Sequence, residues 1–169
     1  MSTIGFDTSN YTTSTAWTDG KTDINVRQIL YVKDGERGIR QSDGVFQHMK
    51  LMPVMYEKLS EQIDFKDVKA VGVSTRPRCV EGSYMPVFLA GEGYAKVVAN
   101  TVGVPLYEFS HQDGHIMAGI YSSGSFELLE NDFISVHLSG GTTEILKSRY
   151  NGFNFDNEII GGSKDISAG

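Results

Sequence analysis

Short stretches in which apolar and polar residues alternate occupy the first thirty positions, and apolar residues then recur at helical spacing. Ser2 to Thr8, Thr12 to Thr18 and Asn25 to Val32 predict three strands, joined as successive hairpins through Asn10-Tyr11 and Asp19-Gly20-Lys21. From Val45 to Gln62, Phe46, Met49, Leu51, Met52, Met55 and Leu59 mark a helix with Pro53 inside it. Proline removes a backbone donor and crowds the preceding turn, so a kink or restart is expected there. Val68 to Ser74 is a nearly continuous apolar run, the pattern of a parallel strand covered on both faces.

A second helix is bracketed by Pro86, suited to a first turn, and Gly103, suited to a left-handed cap. Gly91 and Gly93 each weaken it by roughly 1 kcal/mol relative to alanine, which implies close backbone packing around them. Val104 to Phe109 predicts a strand and Ser110 to Tyr121 a short helix. The order β-β-β-α-β-α-β-α belongs to an α/β domain, a mixed sheet with helices on its faces. Ser122-Ser123-Gly124-Ser125 is a turn-forming boundary, giving a first domain over 1–124 and an incomplete second one over 125–169. In the second, Phe133 to Leu138 and Glu144 to Lys147 predict strands, and Gly161 onward the start of a helix. These strands lack the apolar surface that would cover them. The expected result is one complete domain plus the opening of another, with an apolar face that favours a partner or self-association.

Composition narrows the function classes. Among 169 residues, 40% are hydrophobic, enough for a packed core, and the net charge of −6 excludes a broad basic surface. RNA contact would need a local patch or a partner. Cys79 is the single cysteine, which excludes an internal disulfide framework and suits a reducing compartment. The start lacks a basic, apolar leader, and the most apolar stretch, Met85 to Val104, is interrupted by Glu92 and Lys96. A soluble cytoplasmic protein without membrane association is expected.

Candidate chemistry centres on Ser110-His111-Gln112-Asp113-Gly114-His115, which sets two imidazoles at i and i+4 of one helix. Ser110 and Asp113 resemble a capping box, which places both rings near the positive end of the helix dipole and favours the neutral form that ligates metal. A catalytic site normally adds a third protein ligand, and without one the pair reads first as two polar histidines near a helix start. Gln112 stands where the zinc-protease pattern H-E-x-x-H requires glutamate, so a metalloprotease is disfavoured. Asp113 reads as a cap; His48 and His137 are lone histidines, packed or on the surface. Ser139-Gly140-Gly141-Thr142-Thr143 is first a hairpin connection and second an oxyanion cradle of NH groups and hydroxyls. Asp7-Thr8-Ser9 offers a similar turn beside a carboxylate. Arg76-Pro77-Arg78 presents two cations on a loop, a phosphate contact or a solvated pair.

Together these segments resemble the Gcp/TsaD family. The strand ending Asp7-Thr8-Ser9-Asn10, the helix with His48, Gly103-Val104-Pro105-Leu106, His111-Gln112-Asp113-Gly114-His115 and Leu138-Ser139-Gly140-Gly141-Thr142-Thr143 fall in its order and spacing. Its members were once described as O-sialoglycoprotein endopeptidases and are now understood as tRNA threonylcarbamoyladenosine synthases. The resemblance implies an actin-like ATPase (ASKHA) fold of two ribonuclease-H-like domains with the active site in their cleft. It implies an iron or zinc ion on two histidines and a distant aspartate, positioning threonylcarbamoyl-adenylate for transfer to adenosine N6 of tRNA. Carried over by residue, His111 and His115 are metal ligands, and Leu138, Ser139, Gly140, Gly141 and Thr142 meet substrate. Asp7, Thr8 and Ser9 join the nucleotide site, and Asp165 falls on an acidic helix start. The implied partners are tRNA and protein subunits. The family's acidic pair is replaced by Tyr11-Thr12, its S-G-G-H-T by Ser139 to Thr143, and its G-P-G loop by Arg76-Pro77-Arg78. These departures keep a second reading open, a non-catalytic paralogue acting as partner or scaffold.

Overall fold

The computed structural model describes residues 1–36, 38–138 and 143–163. Its contacts divide into two compact units, 1–111 and 112–169.

In the first unit, β1 (Ser2–Asp7), β2 (Thr12–Thr18) and β3 (Asp23–Ile29) form the two expected hairpins. β4 (Val68–Arg76) then pairs parallel to β1, and β5 (Leu106–Ser110) parallel to β4, giving the order β3-β2-β1-β4-β5. Alternation decides which side chains go inward: Ile4 and Phe6 of β1 are buried, and Val71 and Val73 of β4 join them. Two helices close this core. Met52 and Leu59 come from α1 (Gln41–Ser60), and Ala95 and Ala99 from α2 (Phe88–Val102).

α1 runs as one element through Pro53, so the restart expected there does not occur. Packing of Met52 and Met55, both fully buried, holds the helix on either side of the missing hydrogen bond. α2 begins two residues after Pro86, whose carbonyl accepts from the Leu89 amide at 3.1 Å. Gly103 closes α2 in the left-handed conformation at φ 76°, as its position predicts. Only one of the two inner glycines is packed tightly. A Cβ on Gly91 would lie 2.8 Å from Thr8 Oγ1, whereas one on Gly93 would meet nothing within 4 Å.

The second unit contains most of α3 (His111–Ser123) and an antiparallel sheet, β6 (Phe133–Leu138), β7 (Thr143–Tyr150) and β8 (Phe155–Gly162). β8 is a correction to the sequence reading, because Gly161 and Gly162 end a strand and do not begin a helix. A Cβ on Gly162 would lie 2.7 Å from the Thr143 carbonyl, so the bare backbone lets the two strands close there. One face of this sheet carries Leu146, Ser148 and Phe155, all buried. On the edge strand β6 the alternate residues Ile134, Val136 and Leu138 are exposed, the open apolar face expected from the sequence.

Candidate functional site

Parallel strands place their carboxyl ends along one edge, where α/β sheets commonly bind ligands. In the first unit that edge gathers Asp7 at the end of β1, Ser74 near the end of β4, and His111 immediately after β5. His111 Nδ1 lies 2.9 Å from Asp7 Oδ2, a contact spanning 104 positions of chain. Asp7 Oδ1 accepts from the Ser9 amide at 2.8 Å and from the Ser9 hydroxyl. Burial pushes the Asp7 carboxyl up, but hydrogen bonding to His111, the His111 charge, and hydrogen bonds from Ser9 and Ser74 outweigh it and hold the pKa at about 2.

An ionised carboxylate can only accept, so Nδ1 of His111 carries a hydrogen whatever the charge of the ring. In the neutral ring Nε2 is therefore the nitrogen that keeps its lone pair. Phe88 lies beside the imidazole, ring centres 6.2 Å apart. The pair thus has the carboxylate–histidine arrangement that orients metal-ligating rings.

Thr8 has a different job from its neighbours. It is fully buried; its hydroxyl donates to the Val87 carbonyl at 2.8 Å and accepts from the Gly91 amide at 3.0 Å, pinning the first turn of α2 to the end of β1. Ser9 is buried against Asp7, and Asn10 follows with φ 44°. His48 is packed, as the sequence allows. Its Nδ1 meets Thr13 Oγ1 at 2.7 Å; burial lowers its pKa, opposed by the Asn10 backbone and the Asp7 charge.

His115 lies in the second unit, where its ring centre is 5.5 Å from that of His137 on β6. His137 is thus not a lone histidine. Its signal in the sequence is weak: a polar ring on the inward parity of β6, in step with Phe133 and Ser135. Ser74 and Phe88 were also missed, one a small polar residue closing an apolar run, the other one apolar residue among many. Asp113 Oδ1 accepts from the Phe155 amide at 3.4 Å, so this side chain ties α3 to β8. Leu138 is exposed; Ser139, Gly140, Gly141, Thr142 and Asp165 lie outside the described residues. Arg76 donates to Thr75 Oγ1 at 3.2 Å and approaches Cys79 Sγ at 3.7 Å, while the Arg78 amide donates to Ser83.

Comparison with known proteins bears on this arrangement directly. The TsaD family, tRNA N6-adenosine threonylcarbamoyltransferase, matches residues 35–166. The chain belongs to that family. A TsaD relative from Christiangramia forsetii is 31% identical over 121 residues, 70% of this chain and 33% of that protein. One from Pyrobaculum calidifontis is 28% identical over 144 residues, 84% of this chain and 40% of that protein. The chain therefore spans about a third of the length of the curated TsaD relatives it matches first. Among solved structures, YeaZ from Pseudomonas aeruginosa superposes with TM-score 0.55 at 10% identity, covering 96% of this chain and 66% of that one. The actin-like, ASKHA fold expected of a TsaD protein is thereby established.

The donor chemistry fits the implied metal in kind. Imidazole suits iron and zinc, and Asp7 fixes which nitrogen of His111 carries the hydrogen. In number the set is incomplete: among the described residues, no group of three His, Cys, Asp or Glu side chains could hold a metal ion. No described helix is long and apolar enough to cross a membrane.

Proposed function

We propose that this chain carries one half of the metal and substrate machinery of a tRNA threonylcarbamoyl transferase located in the cytoplasm. The observation that carries the reading is the Asp7–His111 pair at the carboxyl edge of the parallel strands, in a chain of the TsaD family. His111 and His115 would hold the ion, and a further ligand would come from a part of the protein beyond the described residues. When bound, a divalent ion supplies positive charge that anchors the acyl donor.

In the reaction, N6 of a tRNA adenosine attacks the carbamoyl carbon of threonylcarbamoyl-adenylate. The new N–C bond forms, the C–O bond to the phosphate breaks, AMP leaves, and N6 loses a proton. Asp7 orients His111, while the turn from Asp7 to Ser9 and the segment from Leu138 through Ser139, Gly140, Gly141 and Thr142 cradle the adenylate; Asp165 borders it. Arg76 and Arg78 contact tRNA phosphate. The exposed face of Ile134, Val136 and Leu138 serves protein partners or self-association.

The first test is metal content of the purified chain beside a His111→Ala/His115→Ala double mutant. Iron or zinc near one equivalent, lost in the mutant, supports the reading; equal metal in both proteins rejects it. A second reading, a non-catalytic scaffold, draws on Tyr11-Thr12 in place of the family's acidic pair. It would be favoured if the full gene product bound tRNA and made no threonylcarbamoyladenosine by nucleoside mass spectrometry.

A further inference from the structure

The turn that carries Asp7 has little of its own to hold it. Asp7 and Ser14 form the last pair of the β1–β2 ladder, and the chain reverses between them. Within the reversal the Thr12 amide donates to the Ser9 carbonyl at 3.3 Å, and Asn10 takes the left-handed conformation at φ 44°. A residue with a Cβ persists in that conformation where its surroundings impose it.

α1 supplies that support through two buried residues one helical turn apart. Gly44 lets the helix approach Val87, where a Cβ would lie 2.9 Å from Cγ1, and the Val87 carbonyl accepts from Thr8. His48, fully buried, sets its Nδ1 2.7 Å from Thr13 Oγ1, and the Asn10 backbone hydrogen-bonds the same ring. Thr8 and Thr13 are thus fixed points on either side of the reversal. Both are fully buried, and strand alternation turns their neighbours Asp7 and Ser14 to the opposite face. A phenyl ring would fill the space of His48 with no polar group to bury. The imidazole adds what packing lacks, a polar hold on Asn10 and Thr13.

We propose that His48 is a positioning residue for the Asp7–His111 pair: from α1 it holds the Asn10 turn, and the turn sets Ser9, which aims the Asp7 carboxylate. Ser9 gives Asp7 Oδ1 both its amide and its hydroxyl, so a shift of the turn moves those donors and draws Oδ2 away from His111. The inference rests on the proposed function only for what the pair does in the reaction. That the pair depends on His48 is a property of the metal-free chain and is tested there.

The readout is the tautomer of His111. Ionised Asp7 requires the hydrogen on Nδ1, whereas a free neutral histidine side chain favours Nε2. The chain, isotopically labelled in its histidine rings and stripped of metal with a chelator, is read by NMR at a pH well above the histidine range. Wild type should show the His111 hydrogen on Nδ1. His48→Phe, which keeps a ring of similar size, should lose that preference; His48→Asn, whose amide nitrogen takes the place of Nδ1, should restore it. Should phenylalanine disturb the core, Thr13→Val makes the same test from the other side of the hydrogen bond. Leu59→Ala opens a cavity at a fully buried position near the far end of α1 and should leave the tautomer unchanged. If the variants at His48 and Thr13 keep the wild-type tautomer, or Leu59→Ala loses it equally, the inference falls and the Asp7–His111 pair stands. If wild type itself shows no preference for Nδ1, the pair falls and the inference with it.

Discussion

Changing Asp7 to Asn keeps the shape of the side chain and removes its charge. In the folded chain the hydrogen bonds and charge of its partners lower the carboxyl pKa from its ordinary 3.8 to about 2. At 1.36 kcal/mol per unit, that difference is worth about 2 kcal/mol, and the side chain is only 25% exposed, so solvent screening takes little from it. Because the folded pKa is the lower one, this stability is fully present above pH 4 and disappears as pH falls through 2; about half remains near pH 3. Urea unfolding followed by the fluorescence of Trp17, the single tryptophan, reports on the first unit, whose core it packs against. Asp7→Asn should be about 2 kcal/mol less stable than wild type at pH 7 and about 1 kcal/mol less stable at pH 3. A gap that stays constant across this range, or no gap at pH 7, would refute the assignment of the low pKa to the Asp7–His111 pair.

Gly91→Ala should cost about 1–3 kcal/mol by thermal unfolding because its Cβ meets Thr8 Oγ1, whereas Gly93→Ala, into open space, should stabilise by up to about 1 kcal/mol. Thr13→Val removes the hydroxyl that meets buried His48 Nδ1 while the Asn10 backbone remains, and should cost about 1 kcal/mol. Burial lowers the His48 pKa from 6.5, so the neutral ring stabilises the fold above that pH and the contribution fades as pH falls toward the lowered value; His48→Gln should flatten this slope in denaturant titrations. Arg76→Ala with Arg78→Ala should weaken tRNA binding by the full-length protein and reduce its log–log salt slope by about two; an unchanged slope would remove both from the interface.

Elements with a strong period were legible in the chain. β2 occupies the predicted residues, α1 carries the predicted apolar stripe, and Gly103 caps α2. Period could not reveal β8, because Phe155–Gly162 contains two glycines and no clear alternation. Its pairing comes from the long-range register with β7, which no local pattern encodes. The same limit applies to the site. His111 and His115 announce themselves by spacing, but the partner of each is set by topology: Asp7 arrives through the β1–β4–β5 strand order, and His137 through the packing of α3 on β6. Thr8 sits in a motif suggestive of ligand binding, yet its hydroxyl is spent on joining α2 to β1.

The parallel placement of β4 beside β1 also sets a timetable for synthesis. β1 to β3 can pair as soon as they emerge, but the buried face of Ile4 and Phe6 must wait for β4, some sixty residues later. Asp7 waits longer still, for an imidazole 104 positions downstream. At roughly 5–20 residues per second, that is an interval of about 5–20 s on the ribosome. During it the nascent hairpins expose an apolar surface and a strand edge, and they are a natural client for a chaperone until β4 arrives.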